Sequence, residues 1–85
     1  MKIAKLDLNI STKEQFYKVL EEFGEFVENP SIEEAMDSIQ AICGWIDLSY
    51  NEKDKQAGYK LHIDKLKYRE GTRRGHKILE IKELV

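Results

Sequence analysis

The sequence has few of the residues that mark secreted or membrane proteins. It contains one cysteine, Cys43, in 85 residues, so no disulfide can form within the chain, which agrees with a reducing compartment. Its apolar runs are only a few residues long, far short of the roughly 20 that cross a bilayer. Residues 1–10 also lack the apolar core of a signal peptide. We therefore expect a cytoplasmic protein that does not associate with membranes.

Motifs for catalysis, metals and cofactors are also absent. His62 and His76 fall in separate predicted strands, and no CxxC, HxxxH or HExxH spacing occurs. No glycine pattern for phosphate or dinucleotide binding precedes a predicted helix. Cys43 has mostly apolar neighbours, which favours a buried small hydrophobic residue over a reactive thiolate. We predict no enzyme activity, no metal and no cofactor.

Composition and charge are those of one small folded domain, which we predict over residues 1–85. Hydrophobic residues make up 41% and charged residues 35% of the chain, both normal for soluble proteins. The formal net charge of −2 is unevenly distributed, since residues 1–50 carry −6 and residues 51–85 carry +4. This asymmetry predicts one acidic surface and one basic surface.

The first helix is predicted from Thr12 to Phe23, with an alternative end at Val27. Ser11 followed by Glu14 forms a capping box at its start, and Gly24 is a weak point or an early end. The helix carries an apolar stripe at three- and four-residue steps, made of Phe16, Val19, Leu20, Phe23 and then Phe26 or Val27.

The second helix is predicted from Ser31 to Gly44. Ser31 and Glu34 form another capping box, and Gly44 would end the helix in the left-handed conformation. Its apolar stripe is predicted at Ile32, Ala35, Met36, Ile39, Ile42 and Cys43.

Alternation of apolar and polar residues predicts strands on both sides of the helices. Lys2–Ile10 and Trp45–Tyr50 alternate with period two. Residues 59–69 fit a bulged strand, which we prefer, but Tyr59, Ile63 and Leu66 also have helical spacing, so a helix stays open.

The remaining segments complete a predicted sheet. Asn51–Gly58 is polar and indicates a loop, and Gly71–Gly75 indicates a turn that leads into a last strand, His76–Leu84. The predicted fold class is α+β, a two-layer domain of order β-α-α-β-β-β. Two amphipathic helices would pack on one face of a mainly antiparallel sheet.

Two surfaces are candidates for function. The absence of a catalytic motif and the acidic outer faces of both helices predict a small non-catalytic protein-binding module, an inhibitor or adaptor of bacterial or phage type. Its candidate contacts are Glu33, Glu34 and Asp37. The alternative is nucleic-acid binding by the basic hairpin, with candidate contacts at Lys67, Arg69, Arg73, Arg74 and Lys77. Open sheet edges also predict a homodimer.

Two family resemblances accompany these hypotheses. The predicted element order resembles that of RelE and ParE toxins, and for the ribonucleases among them it implies an RNA-cleaving sheet surface formed by Tyr68, Arg69, Arg73, Arg74 and His76. Separately, the segment from Ile10-Ser11 through Phe16 and Leu20, followed by Ile42-Cys43-Gly44-Trp45, is similar to the first half of barstar-type ribonuclease inhibitors. That second resemblance ends after Tyr50.

Overall fold

The computed structural model describes residues 2–68, 72–73 and 75–83. The elements in order are α1 (Thr12–Glu28), α2 (Ile32–Ser49), α3 (Glu52–Tyr68), β1 (Thr72–Arg73) and β2 (His76–Lys77). The predicted α+β fold is therefore wrong, because the described chain is mostly helical and its two-residue strands give the helices no sheet to cover. None of the described helices has both the length and the apolar character needed to cross a membrane.

The chain divides into two compact units, one of them Lys2–Tyr50 and the other Asn51–Val85 with Met1. The boundary coincides with the change in charge, so the first unit carries −6 and the second +4. α1 and α2 pack against each other in the first unit. α3 and the hairpin belong to the second unit.

The start of α1 agrees with the prediction, and its end lies beyond Phe23. The Ser11 hydroxyl accepts a hydrogen bond from the Glu14 backbone N–H at 3.1 Å and donates one to the Glu14 carboxylate at 3.1 Å. This interaction satisfies a backbone donor that the first turn leaves free. Gly24 does not end the helix, which continues to Glu28.

α2 begins as predicted but does not end at Gly44. The Ser31 hydroxyl accepts a hydrogen bond from the Glu34 N–H at 3.1 Å, and the helix continues to Ser49, so the predicted strand Trp45–Tyr50 is wrong. Gly44 is buried, and a Cβ there would lie 3.2 Å from both Gln15 Nε2 and Leu8 Cδ1. The glycine therefore permits close packing and does not form a turn.

The N-terminal residues 2–10 form no strand, which contradicts the first predicted strand. The backbone of Ala4 forms hydrogen bonds with a side chain instead. The Ala4 N–H donates to Gln40 Oε1 at 2.6 Å, and Gln40 Nε2 donates to the Ala4 carbonyl at 2.7 Å. The segment is thus attached to α2 without a partner strand.

The buried residues of α1 and α2 are mostly small or polar, and of the two predicted apolar stripes only Val19 is among them. The buried residues on α1 are Gln15 and Val19, and those on α2 are Ser38, Ala41 and Gly44. Small side chains on α2 allow α1 to approach closely. A helix can therefore pack through a face of small residues and not through its most hydrophobic face.

The predicted apolar stripe of α1 is largely exposed to solvent. Val19 is buried, but four other residues of the stripe are exposed, from 42% at Phe23 to 74% at Val27. Phe16 is 47% exposed although its ring makes an edge contact with Trp45, with the ring centroids 6.2 Å apart. On α2, Ile32 is exposed and the other five residues of the predicted stripe are half-buried, whereas the buried positions are Ser38, Ala41 and Gly44.

α3 corrects two further predictions. Residues 52–58 of the expected loop and residues 59–68 of the preferred strand form one helix, so the helical alternative was correct. Residue 69 lies outside the described residues. Asn51 caps the helix, since its side-chain Oδ1 accepts from the Asp54 N–H at 2.8 Å. Acidic residues in the first turn and lysines in the last turn add favourable interactions with the helix dipole.

The hairpin keeps a short part of the predicted ribbon. Thr72 pairs with Lys77 and Arg73 with His76 in antiparallel register. Gly75 has a φ of 81°, a left-handed conformation that glycine adopts without strain. The predicted last strand is wrong beyond Lys77, because residues 78–83 form no strand, and its final residue, Leu84, lies outside the described residues.

Candidate protein-binding site

A groove of about 360 Å³ lies in the Lys2–Tyr50 unit, where the N-terminal segment meets α1 and α2. Its lining combines three kinds of side chain. They are the apolar or small residues Leu6, Leu8, Ala41 and Gly44, the amides Gln15 and Gln40, and the charged residues Lys18, Glu22 and Asp37. The groove therefore offers an apolar wall beside a charged one.

Two glutamines fix the shape of the groove. Gln15 is 5% exposed, and its Nε2 donates to the Ala41 carbonyl at 3.1 Å, which joins α1 to α2. Gln40 holds the backbone of Ala4. Both amides are thus oriented by partners within the chain, so the lining is organised before anything binds.

Three carboxylates meet beside the groove. Oxygen atoms of Glu22 on α1 and of Glu34 and Asp37 on α2 lie within 4.8 Å of one another. Glu22 and Glu34 are half-buried, and Asp37 is exposed. One oxygen of Glu34, Oε2, is buried and has no hydrogen-bond partner among the described residues. The group concentrates negative charge at the contact between the two helices.

Lys18 compensates only part of this charge. Its Nζ lies 3.4 Å from carboxylate oxygens of both Glu21 and Glu22. The hydrogen bond with Glu22, followed by the charge of Glu21, raises the pKa of Lys18. The charge of Glu22, with smaller contributions from Glu34 and Glu21, raises the pKa of Glu25. An excess of negative charge thus remains along α1 and at its contact with α2.

The predicted acidic site is therefore rearranged. Glu34 and Asp37 lie together, but Glu33 is exposed and does not belong to the carboxylate group. Sequence reasoning missed Glu22, which is contributed by the neighbouring helix. Glu22 lies four residues from Lys18 and pairs with it on α1, but that spacing carries no information about α2.

No protein-family model, no curated protein and no solved structure matches this chain significantly. The interpretation of the groove therefore depends on its own geometry and charge.

The Lys2–Tyr50 unit contains the thiol of Cys43 and the group of three carboxylates. Cys43 is half-buried, and burial, followed by the charge of Asp47, raises the pKa of its thiol, which lowers the fraction of reactive thiolate. The carboxylates Glu22, Glu34 and Asp37 would attract a cation. An organic cation would also contact the apolar wall.

The predicted basic residues are divided among several elements. Lys67 is exposed in the last turn of α3, Arg73 is in β1, and Lys77 is exposed in β2. Arg69 and Arg74 lie outside the described residues. Of the three described residues, Arg73 and Lys77 lie in the hairpin and Lys67 lies in α3.

Proposed function

We propose that this protein is a non-catalytic protein-binding module, an inhibitor or adaptor of bacterial or phage type, whose acidic helical surface meets a basic partner. The observation that carries the proposal is the group of carboxylates from Glu22, Glu34 and Asp37 beside an open groove. Like charges held this close repel one another, and a basic partner would relieve that repulsion.

Exposed apolar residues on α1 support a protein partner. Four large side chains follow one side of the helix at steps of four, three and four residues, namely Phe16, Leu20, Phe23 and Val27. Isolated apolar residues are common on protein surfaces, but a continuous row of them marks interaction sites. A macromolecular partner could cover such a row, whereas a small ligand in the groove could not.

Long-range electrostatics support a basic partner. The Lys2–Tyr50 unit carries a formal charge of −6. Such a field accelerates encounter with a positively charged surface and makes association sensitive to salt. We therefore expect the association rate to fall as ionic strength rises.

Affinity capture with matched charge reversals tests this function. Tagged wild type, Asp37→Lys and Glu33→Lys would be incubated with bacterial lysate, and bound proteins identified by mass spectrometry. Both substituted residues are exposed acids on α2, but only Asp37 lines the groove. We expect Asp37→Lys to lose the partner and Glu33→Lys to retain most of it. Empty capture by the wild type, or equal capture by both variants, would contradict the proposal.

Nucleic-acid binding is the second candidate, supported by the +4 charge of residues 51–85 and by the hairpin that pairs Arg73 with His76. Phosphate contacts from such residues would make affinity depend steeply on salt. Titration of labelled RNA and DNA at two salt concentrations, with wild type and with Arg73→Glu combined with Lys77→Glu, tests it. Affinity that is independent of salt or unchanged in the double variant would remove this candidate.

Two other predictions now have less structural support. The RelE-like ribonuclease hypothesis depended on an element order that differs from the observed one, and RNA that stays intact with the pure protein, alone and on ribosomes, would exclude it. The homodimer was predicted from open sheet edges, whereas each described strand has only two residues. Sedimentation at high micromolar concentration tests it, and a monomer would reject it.

A further inference from the structure

The groove in the Lys2–Tyr50 unit has the size and lining for one side chain of a partner. Its volume of about 360 Å³ is at the small end of ligand pockets, which measure roughly 300 to 1,000 Å³. Leu6 and Leu8 supply apolar contacts, and Glu22 and Asp37 supply negative charge in the same groove. A matching ligand has an apolar stem and a cationic head.

We propose that this groove binds an arginine side chain of the protein partner. The guanidinium would lie against the carboxylates of Glu22 and Asp37, and the methylene stem against Leu6 and Leu8. This inference rests on the proposed function and specifies the residue type that the partner inserts. Arginine is among the residue types that most often dominate the binding energy of protein interfaces.

The need for a cation follows from incomplete charge compensation. Glu22, Glu34 and Asp37 contribute oxygens within 4.8 Å of one another, and two of these residues, Glu22 and Asp37, line the groove. Carboxylates held this close repel one another, and a cation beside them relieves that repulsion. Lys18 lies 3.4 Å from Glu22 but also contacts Glu21, so its single charge is shared.

The lining favours guanidinium over a metal ion. Arginine has five N–H donors in a plane and can bind carboxylates on two helices at once. Its stem gains contacts with Leu6 and Leu8, since long basic side chains bury their methylene groups on apolar surface. A divalent ion would gain nothing from the leucines, which line the same groove as the carboxylates of Glu22 and Asp37.

A titration with a small probe tests the assignment on the intact protein. Labelled wild type would be titrated with N-acetyl-arginine amide, and separately with N-acetyl-citrulline amide, which has the same shape without the charge. The readouts are the NMR signals of the Gly44 backbone amide and of the Gln15 and Gln40 side-chain amides. We expect saturable shifts, with at least fivefold tighter binding of the arginine amide.

A pair of neutralising variants locates the cation. Asp37→Asn should weaken binding of the arginine amide at least threefold, whereas Glu33→Gln, which removes the same charge from the same helix outside the groove, should leave it within twofold. Equal binding of arginine and citrulline, equal effects of the two variants, or shifts confined to residues outside the groove would overturn the proposal. Shifts of these signals with magnesium chloride and none with the arginine amide would also overturn it, in favour of a metal site.

The outcomes separate this inference from the proposed function. If the arginine amide does not bind but partner capture still depends on Asp37, only the arginine assignment fails. If the arginine amide binds in the groove but no partner is captured, the guanidinium site stands and the protein-binding function fails.

Discussion

The Gln40 carboxamide forms two hydrogen bonds with the backbone of Ala4, one at 2.6 Å to its N–H and one at 2.7 Å to its carbonyl. The amide thus pairs with this residue as the backbone of a neighbouring strand would. Leu6 and Leu8 follow Ala4 and line the groove. The positions of these two leucines in the groove therefore depend on the side chain of Gln40.

We expect Gln40→Ala to release the N-terminal segment. Each of the two hydrogen bonds contributes a net of about 0.5 to 1.5 kcal/mol, so the free energy of unfolding should fall by about 1 to 3 kcal/mol. Urea unfolding followed by fluorescence of Trp45, the one tryptophan, measures this change. Gln56→Ala, an exposed glutamine on α3, is the control and should change stability by less than about 0.5 kcal/mol. Unchanged unfolding and unchanged hydrogen exchange at Ala4 in Gln40→Ala would show that the segment is held otherwise.

Two glycines in helices should respond in opposite directions to alanine. Gly24 is exposed, and a Cβ there would meet no atom within 4 Å, so Gly24→Ala should stabilise α1 by about 0.8 to 1 kcal/mol. At Gly44 a Cβ would lie 3.2 Å from Gln15 Nε2, whose hydrogen bond to Ala41 prevents it from moving away. Because overpacking costs about 1 to 3 kcal/mol, Gly44→Ala should destabilise the protein by about 1 kcal/mol net. Denaturation followed by circular dichroism measures both changes, and equal stabilisation by the two substitutions would contradict the close approach of the helices.

Repulsion between Glu22 and Glu25 predicts that the stability of the protein depends on pH. The charge of Glu22 raises the pKa of Glu25, so the ionised form of Glu25 destabilises the folded state. This penalty is present above the raised pKa, and it disappears as the pH falls below the ordinary glutamate value of roughly 4.3. Glu25→Gln should therefore be more stable than wild type at pH 7, and the two should converge on acidification. High salt should reduce the difference at pH 7 because the carboxylate is exposed. A constant difference across this pH range would show that charge is not its cause.

Cys43 should react slowly in the folded protein. Burial raises the pKa of its thiol, and the charge of Asp47 raises it further, so little thiolate is present near neutral pH. Alkylation by iodoacetamide at pH 7.5, followed by mass spectrometry, should be at least about tenfold slower in buffer than in denaturant. Equal rates in the two conditions would show that the thiol is freely accessible.

Local signals in the sequence predicted where α1 and α2 begin. Ser11 and Ser31 cap α1 and α2 as expected because a cap involves residues only a few positions apart. The helix ends were less predictable. Gly24 and Gly44 have the same local signal, but Gly24 is exposed whereas Gly44 is buried against Gln15, and only tertiary packing distinguishes the two positions.

Short alternating patterns were the main source of error in the fold. Tyr59, Leu61 and Ile63 alternate as a strand would, yet Tyr59 and Ile63 are also four residues apart and lie in α3. The Asn51 cap was the overlooked signal. In residues 2–10 the alternating pattern was real, but the hydrogen-bond partner was the side chain of Gln40 and not another strand.

The candidate site was predictable only within one helix. Glu34 and Asp37 are three residues apart, so α2 alone places them on neighbouring turns. Glu22 and Leu8 come from other segments, and the sequence contains no signal that brings them to the same place. The acidic character of the surface was therefore predicted, whereas the groove was not.

The most direct test of the account is calorimetric titration of the purified captured partner with wild type, Asp37→Asn and Glu33→Gln. We expect Asp37→Asn to raise the Kd at least about tenfold, because a charged group in contact with a partner contributes more than about 1.4 kcal/mol. Glu33→Gln should leave the Kd within about twofold at moderate salt, where exposed charges outside the contact are screened. Equal Kd values for the two variants would contradict binding through the groove.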